Sequence, residues 1–223
     1  MTTTNSTIAA QVEILQAGVA KQMPAETLAA FGAEQAKLVA DGLPGGVATA
    51  GGPAPDGDLL DAHGQPTSLA ATRGGRAAVV VFYRGGWCPY CNIALRTYEA
   101  ELLPELREQG IELIAVSPQK PDGSLSTQET DELTFAVVSD PGNQLATALG
   151  ILTRPSADAQ AAQRTLGLDL TEVNADGTAN IPMPTTLVVD ADGILRWIDV
   201  HPDYTTRTEV EDILAAVRTL TAG

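Results

Sequence analysis

The two cysteines of this chain lie in one tetrapeptide, Cys88-Pro-Tyr-Cys91, which directly follows an apolar run at residues 77–83. A continuous apolar run predicts a strand that is covered on both faces. A disulfide across two intervening residues closes too small a loop to restrict the unfolded chain much, so such a bond is useful when it is made and broken. The tetrapeptide therefore predicts a reversible redox centre at the end of a buried strand.

A half zinc site and a pair of inert buried thiols are the alternatives. Structural zinc takes four ligands, and the histidines of the chain, His63 and His201, are far apart in sequence with no ligand pair beside them. His63 also falls in a predicted turn at residues 61–64, where little points to catalysis. We therefore expect neither a metal nor another cofactor.

The position of Cys88 predicts which sulfur is ionised. Cys88 falls where the strand passes into a helix, and Pro89 suits the first helical position because its missing N–H would be unpaired there anyway. Unpaired N–H groups and the helix dipole at that end stabilise a thiolate. We expect Cys88 to attack, and Cys91, one turn later, to resolve the mixed disulfide.

Composition limits the partners. The 223 residues carry a formal net charge of −15, which disfavours nucleic acid and anionic membranes as partners. The first residues contain no positively charged segment, and no apolar stretch approaches the roughly 20 residues of a membrane span. We therefore predict a cytoplasmic protein with no nucleic-acid or membrane partner, whose thiols stay reduced until something oxidises them.

The chain divides into a helical extension and a main domain. Apolar residues recur at helical spacing over residues 6–41, and Pro24 separates two helices there. Glycine and proline then crowd together in residues 42–57, which indicates a linker. We predict an extension and linker over residues 1–48 and a main domain over residues 49–223. The helical pair is either a cap on that domain or an arm for a homodimer.

The main domain is predicted to begin with short strands at about 58–60 and 66–69, followed by the buried strand at 77–83, a helix over residues 88–109 and another strand over residues 111–116. Near its end, Asp-Ala-Asp-Gly at residues 190–193 is a hairpin signal, and a closing amphipathic helix covers residues 209–220. Between them we predict a helix at 125–133, a strand at 135–138, a helix at 142–149 and a helix capped by Ser156 that runs through Leu166. This order predicts an α/β, thioredoxin-like fold, with a central mixed sheet flanked by helices.

Four residues near the cysteines are candidates for supporting roles. Gly85 and Gly86 leave little side chain beside the sulfur, which gives the backbone of a partner room to approach. Trp87 either packs over the site or takes part in it. Thioredoxin-like folds commonly place a cis-proline opposite the cysteines, and Pro184 is the candidate, with a plain Pro-rich loop as the alternative.

Several ordered segments resemble the peroxiredoxin-like proteins of the alkyl hydroperoxide reductase and thiol-specific antioxidant (AhpC/TSA) family, which belong to the thioredoxin superfamily. They are Phe-Tyr-Arg-Gly-Gly-Trp-Cys-Pro-Tyr-Cys-Asn at 82–92, Ile-Ala-Val-Ser-Pro-Gln at 114–119, Val-Val-Ser-Asp at 137–140 and Pro-Thr-Thr-Leu-Val-Val-Asp at 184–190. The resemblance covers residues 50–218. The tetrapeptide itself is also typical of glutaredoxins.

The resemblance leaves the attacking sulfur open. The peroxiredoxin motif P-x-x-x-T-x-x-C puts it at Cys91, with Cys88 at the threonine position and Arg84 at the proline position. The thioredoxin register puts it at Cys88. Peroxiredoxins also use an arginine from a later strand, and its expected place, just before Thr185, holds Pro184.

Another arginine would have to replace that missing residue. Peroxide cleavage needs donors aimed at the charge that develops on the leaving oxygen. Arg84 and Arg154 are the candidates, each with the alternative of a solvated surface position. Arg96, on the predicted active-site helix, could face either way.

The resemblance implies a thiol-dependent antioxidant enzyme that reduces hydroperoxides through a Cys88/Cys91 dithiol–disulfide cycle, with a thioredoxin- or glutaredoxin-type electron donor. The alternative is a thiol–disulfide oxidoreductase that acts on protein or low-molecular-weight disulfides without a peroxide step. A third hypothesis is a redox-sensing module that changes partners when the two cysteines are oxidised.

Overall fold

A mixed sheet of seven strands forms the centre of the computed structural model, which describes residues 7–221. The sheet has the order β2-β1-β5-β4-β3-β8-β9, and a separate pair, β6 and β7, lies beside it. The strands are β1 (Leu59–Asp61), β2 (Pro66–Thr67), β3 (Ala78–Phe82), β4 (Glu112–Ser117), β5 (Ala136–Ser139), β6 (Leu152–Thr153), β7 (Ile181–Pro182), β8 (Thr185–Val189) and β9 (Leu195–Val200). The predicted thioredoxin-like α/β architecture is confirmed.

Helices cover both faces of this sheet. They are α1 (Ile8–Gln22), α2 (Ala25–Asp41), α3 (Leu69–Arg73), α4 (Pro89–Thr97), α5 (Leu103–Glu108), α6 (Pro121–Thr130), α7 (Gln144–Ala148), α8 (Ala157–Thr165), α9 (Leu170–Val173) and α10 (Val210–Arg218). Ser156 caps α8 as predicted, since its side chain accepts a hydrogen bond from the Ala159 N–H. No helix within residues 7–221 is long and apolar enough to span a bilayer.

Strand β3, which lies in the interior of the sheet beside the central strand β4, is buried along its whole length. It pairs in parallel with β4 and antiparallel with β8, so that Val80 lies opposite both Ile114 and Leu187. Successive side chains of a strand point to opposite faces, and Val79 and Val81 accordingly join a different apolar cluster from Val80. The buried strand therefore fixes the position at which the cysteine segment leaves the sheet.

The helix predicted over residues 88–109 is interrupted. A π-helical segment, Tyr98–Leu102, separates α4 from α5. Pro104 lies at the start of α5, and because proline has no N–H it cannot donate the regular hydrogen bond to Ala100. The helix predicted at 125–133 instead begins at Pro121, which suits a first helical position.

The extension packs against the main domain. Ile8 and Val12 of α1 are buried in the same apolar cluster as α4. The Ile8 and Ala9 N–H groups donate to the Glu209 carboxylate, at 3.0 and 2.8 Å. The cap interpretation is thus the one that the contacts favour, while the homodimer and the division after residue 48 stay predictions. Ser6, where the first helix was predicted to begin, lies outside the described residues.

Candidate active site

Cys88 and Cys91 lie at the first turn of α4, as the sequence predicts. Cys88 is the N-cap residue and Pro89 occupies the first turn. Both cysteines are free thiols and both are buried, with 1% and 0% of their surfaces exposed. The short loop after β3 therefore places both reduced sulfurs in a region from which water is almost excluded.

Hydrogen-bond donors converge on Cys91 rather than on Cys88. The Arg207 guanidinium lies 2.9 Å from the Cys91 sulfur and 3.8 Å from the Cys88 sulfur. The backbone N–H of Arg84 also donates to Cys91, at 3.4 Å. Cys88, by contrast, accepts no hydrogen bond from the helix that it caps. A negative charge is consequently held better on the second sulfur than on the first.

The pKa values of the two thiols move in opposite directions. Burial raises the pKa of Cys88, and the hydrogen bond to Cys91 and the charge of that residue raise it further. Burial alone would also raise the pKa of Cys91, but the hydrogen bond from Cys88, the Arg207 charge and the Arg84 N–H outweigh it and hold that pKa well below its usual range. The prediction that Cys88 carries the thiolate is therefore wrong, because a buried arginine outweighs the helix terminus.

Arg207 is the functional residue that the sequence analysis missed. It lies in the irregular segment between β9 and α10, and it is 8% exposed. Its guanidinium donates to the carbonyl oxygens of Tyr204 and Thr206, at 2.8 and 2.5 Å. The Tyr98 hydroxyl donates to the Thr208 carbonyl at 2.6 Å, which ties the same segment to the helix of the cysteines. Nothing in the local sequence marks this position, because the segment has neither helical nor strand periodicity.

The arginines proposed from sequence have other environments. Arg84 is buried and its guanidinium lies over the rings of Trp87 and Tyr204, 5.2 and 4.4 Å from their centroids. Such contacts are favourable cation–π interactions. Arg154 is exposed, and so is Arg96, which pairs with Asp131. Of these, Arg84 reaches the site, through its backbone N–H and its charge near Cys88.

Gly86 and Gly85 lie where any larger side chain would clash with neighbouring side chains. A Cβ at Gly86 would lie 2.3 Å from the Thr127 hydroxyl oxygen, and one at Gly85 would meet the Trp87 ring at 2.3 Å. Gly85 also has a positive φ of 144°, which other residues rarely adopt. The Gly86 N–H donates to Gln119 at 2.7 Å. The approach of a partner's backbone at these glycines stays a prediction.

The Pro184 prediction is wrong in its geometry, because the peptide bond before Pro184 is trans. The backbone on both sides is hydrogen-bonded: Met183 donates to Ile151, and His201 donates to the Pro184 carbonyl. These bonds tie the chain on either side of Pro184 to the residue before β6 and to the residue after β9. Pro184 does line a narrow pocket together with Arg84. Thr185 is buried, and its hydroxyl donates to the Met183 carbonyl.

Trp87 is half-buried and lines two cavities, and its two alternative roles stay predictions. One cavity, of about 660 Å³, has Cys88 on its wall; the other, of about 520 Å³, is lined mostly by polar residues of α6 and its neighbours. Within residues 7–221, no three His, Cys, Asp or Glu side chains are grouped so that they could hold a metal ion.

The arrangement can share one proton between two sulfurs. The Cys88 thiol is hydrogen-bonded to Cys91, whose charge is balanced by a buried guanidinium. A thiolate is the reactive form of cysteine, and a second sulfur one turn away is placed to form a disulfide. The geometry is thus suited to two-electron redox chemistry beside the cavity that Cys88 lines.

Comparisons with known proteins agree with this architecture. The crystal structure of a peroxiredoxin-like protein from Aquifex aeolicus matches with a TM-score of 0.62 and 15% identity, over 79% of this chain and 90% of that one. At this identity the match supports the fold alone.

Curated relatives match slightly less than half of the chain. A Mycobacterium tuberculosis protein, provisionally named a peroxiredoxin, is 33% identical over 102 residues, which are 46% of this chain and 64% of that protein. The thiol-disulfide oxidoreductase ResA of Geobacillus thermodenitrificans is 33% identical over 109 residues, 48% of this chain and 60% of ResA. The chain thus spans less than two thirds of the length of these relatives.

The family profile covers a larger part of the chain. It matches residues 50–198, which include β1 to β5, both cysteines, α4 and the strand β8. This stretch is more than half of the 223 residues. The chain therefore belongs to the AhpC/TSA family.

Proposed function

We propose that this protein is a thiol-dependent antioxidant oxidoreductase that reduces hydroperoxides through a Cys88/Cys91 dithiol–disulfide cycle. The observation that carries the proposal is the buried Arg207 guanidinium, 2.9 Å from the Cys91 sulfur. It supplies the positive charge that peroxide cleavage needs and that the family's usual strand position lacks here. Membership of the AhpC/TSA family supports the same reaction.

The first step is an attack by Cys88, the sulfur on the cavity wall. Its proton passes to Cys91, and the Cys88 thiolate attacks the terminal oxygen of the hydroperoxide. A sulfur–oxygen bond forms as the oxygen–oxygen bond breaks, which leaves a sulfenic acid on Cys88 and an alkoxide. The alkoxide takes the proton from Cys91 and leaves as an alcohol; with hydrogen peroxide the product is water.

The second step closes the disulfide. The Cys91 thiolate attacks the sulfur of the Cys88 sulfenic acid, the sulfur–oxygen bond breaks, and hydroxide leaves and is protonated by solvent. The two sulfurs have then lost two electrons, and one peroxide has been reduced to an alcohol and water. A thioredoxin- or glutaredoxin-type dithiol returns the pair to its reduced state by thiol–disulfide exchange.

Arg207 acts in both steps. In the first step its positive charge balances the negative charge shared by the sulfurs, and it then stabilises the negative charge that develops on the leaving oxygen as the O–O bond breaks. In the second it keeps Cys91 ionised for attack on Cys88. Because the guanidinium is buried and held by two carbonyl oxygens, little reorganisation accompanies the reaction. We place the reaction in the cytoplasm, where a reducing donor pool is available.

The alternative is a thiol–disulfide oxidoreductase that works on protein or low-molecular-weight disulfides. The match to ResA, whose name states that activity, favours it. Its chemistry would use the same two cysteines, with Cys88 attacking a sulfur instead of an oxygen.

Rapid mixing of the reduced protein with hydroperoxide separates the two functions. We expect disulfide formation far faster than the oxidation of free cysteine at the same pH, and slow turnover of insulin or glutathione mixed disulfides. A peroxide rate no better than that of free cysteine would overturn the peroxidase proposal. Rapid disulfide turnover with such a slow peroxide reaction would establish the alternative.

A further inference from the structure

The segment that carries Arg207 has no helix or strand of its own. It covers residues 201–209, between β9 and α10. The Arg207 guanidinium donates to the carbonyl oxygens of Tyr204 and Thr206, which belong to the same segment. The position of the positive charge beside Cys91 therefore depends on what holds this segment in place.

His201 joins the two residues that flank Arg207. Its Nδ1 lies 2.7 Å from the Thr206 hydroxyl oxygen, and its Nε2 lies 3.3 Å from the Thr208 hydroxyl oxygen. The backbone N–H of His201 donates to the Pro184 carbonyl at 2.9 Å, just before β8 begins. One residue thus connects the end of the sheet to both neighbours of the arginine.

Asp199 of β9 fixes the orientation of this imidazole. Its carboxylate lies 2.9 Å from the His201 Nε2 and accepts a hydrogen bond from the Thr208 hydroxyl at 2.8 Å. The hydrogen bond with His201 lowers the pKa of Asp199, so the carboxylate is ionised at neutral pH and can only accept. The His201 Nε2 therefore carries a hydrogen and donates it to Asp199. The imidazole is also partly shielded from water, because 19% of the His201 side chain is exposed.

Other contacts of the segment reach one side of the arginine. The Tyr98 hydroxyl donates to the Thr208 carbonyl, after the arginine. Before it, the Asp203 carboxylate accepts from the Thr205 hydroxyl at 2.8 Å, and the Asp203 carbonyl accepts from the Thr206 hydroxyl at 3.0 Å. The imidazole differs from these groups because it contacts side chains on both sides.

We propose that His201, oriented by Asp199, is a positioning residue that holds Arg207 against Cys91. The imidazole fixes the two residues that flank the arginine, and the guanidinium then stays 2.9 Å from the Cys91 sulfur. The attraction between opposite charges weakens as their separation grows, and it is strongest where water is excluded. Without the imidazole, the guanidinium would move relative to the sulfur and the thiolate would be less stable. The inference rests on the proposed function for its part in the reaction.

The first test follows the ultraviolet absorbance of the thiolate against pH in the reduced, full-length protein. His201→Leu removes both ring nitrogens and keeps a side chain of intermediate size. We expect the lower of the two thiolate transitions to move to higher pH, as in Arg207→Gln but by a smaller amount, because the guanidinium is still present. A transition at the wild-type pH would overturn the inference.

A double mutant tests whether His201 acts through Arg207. Adding His201→Leu to Arg207→Gln should move the thiolate transition no further than Arg207→Gln alone, because no guanidinium is left to position. Two shifts that add would mean that the imidazole acts on Cys91 independently of the arginine, and would overturn the positioning role.

Two threonine variants separate the imidazole contact from the general integrity of the segment. Thr208→Val keeps the branched shape and removes the hydroxyl that meets His201 and Asp199. Thr205→Val is the matched control, because Thr205 is also buried and its hydroxyl also donates to an aspartate, Asp203, at 2.8 Å. We expect the thiolate transition to move to higher pH in Thr208→Val and to stay in Thr205→Val. Equal shifts would overturn the assignment to the imidazole, and this pair decides the question even if His201→Leu does not fold.

The thiolate measurement uses no peroxide, so it separates this inference from the peroxidase function. The expected thiolate shifts without a fast reaction with hydroperoxide would overturn the peroxidase proposal and leave His201 as a positioning residue. Fast peroxide reduction by the wild-type protein, with a His201→Leu titration like that of the wild type, would overturn the positioning role alone.

Discussion

Cys88 and Cys91 are separated by two residues, yet their surroundings are opposite. Cys91 lies beside a buried guanidinium and accepts a backbone hydrogen bond. Cys88 faces a large and mostly apolar cavity and accepts no capping hydrogen bond. If the proposed function holds, this difference divides the tasks of the site: one sulfur holds the negative charge, and the other meets the substrate.

The largest expected effect comes from exchanging each sulfur for oxygen. We expect Cys88→Ser to lose sulfenic acid formation, because the remaining sulfur is not on the cavity wall. Cys91→Ser should still form a sulfenic acid on Cys88, which persists because no partner thiol condenses with it. Mass spectrometry after peroxide and a sulfenic-acid trap measures both results. Trapping in Cys88→Ser but not in Cys91→Ser would reverse the assignment of roles.

The next largest effect concerns the charge on Cys91. Arg207→Gln removes the guanidinium that lies 2.9 Å from that sulfur, so the pKa of Cys91 should rise by about 1–3 units. The ultraviolet absorbance of the thiolate, followed against pH, measures this shift. Arg207→Lys is the matched control, because it keeps the positive charge and should retain much of the lowered pKa. An unchanged titration in Arg207→Gln would show that Arg207 does not hold the thiolate.

The negative charge of Cys91 makes the free energy of unfolding depend on pH. The folded protein holds the pKa of Cys91 well below its usual range, so this thiolate contributes stability above the unfolded pKa of about 8.5. The contribution is lost as the pH falls through the lowered, folded pKa. Denaturant unfolding of the reduced protein should therefore show stability increasing with pH between these two values, and a flatter profile in Arg207→Gln. Identical profiles would contradict the linkage.

A moderate effect on the free energy of unfolding is expected at Gly86, in the loop between β3 and Cys88. Gly86→Ala places a methyl group 2.3 Å from the Thr127 hydroxyl oxygen, which should lower the free energy of unfolding by about 1–3 kcal/mol. Denaturant titration measures the change. Gly18→Ala, whose Cβ meets nothing within 4 Å, is the control and should not destabilise the protein. Adding Thr127→Ala should rescue part of the loss, and a strictly additive double mutant would argue against the clash.

The smallest effect concerns the anchoring of helix α1 to the main domain. Glu209→Gln removes the negative charge that receives the Ile8 and Ala9 N–H groups at the start of α1. A charge at a helix N-terminus is worth about 0.3–1 kcal/mol, and we expect a loss of that size in thermal or denaturant unfolding. Glu211→Gln, an exposed position in the first turn of α10, is the comparison. Equal losses in both variants would assign the effect to α10 instead of α1.

Local patterns were enough to predict much of the fold. The apolar run of β3, the cap at Cys88 and the Asp-Gly hairpin before β9 are each encoded within a few residues, and the structure has all three. The resemblance to the AhpC/TSA family likewise depended on short ordered segments, and the family match confirmed it.

The charge distribution of the site could not be predicted in this way. Arg207 reaches Cys91 across a sequence separation of 116 residues, and it does so from a segment without periodicity. A helix terminus, which is visible in the sequence, pointed to Cys88 as the thiolate. The buried arginine outweighs it, because a full charge at hydrogen-bond distance acts more strongly than the partial charges of backbone amides. The sequence also could not predict that α1 and α2 line the cavity beside Cys88, because this arrangement depends on tertiary contacts.

The bond from α1 to Glu209 has a consequence for biosynthesis. The N–H groups of Ile8 and Ala9 are 201 and 200 residues away from the carboxylate that receives them. During translation the first helix emerges long before its acceptor exists, and contacts of such separation form late. The sheet and its cysteines can thus assemble before Glu209 is available to fix the start of α1, so this anchoring bond is expected to form late in folding.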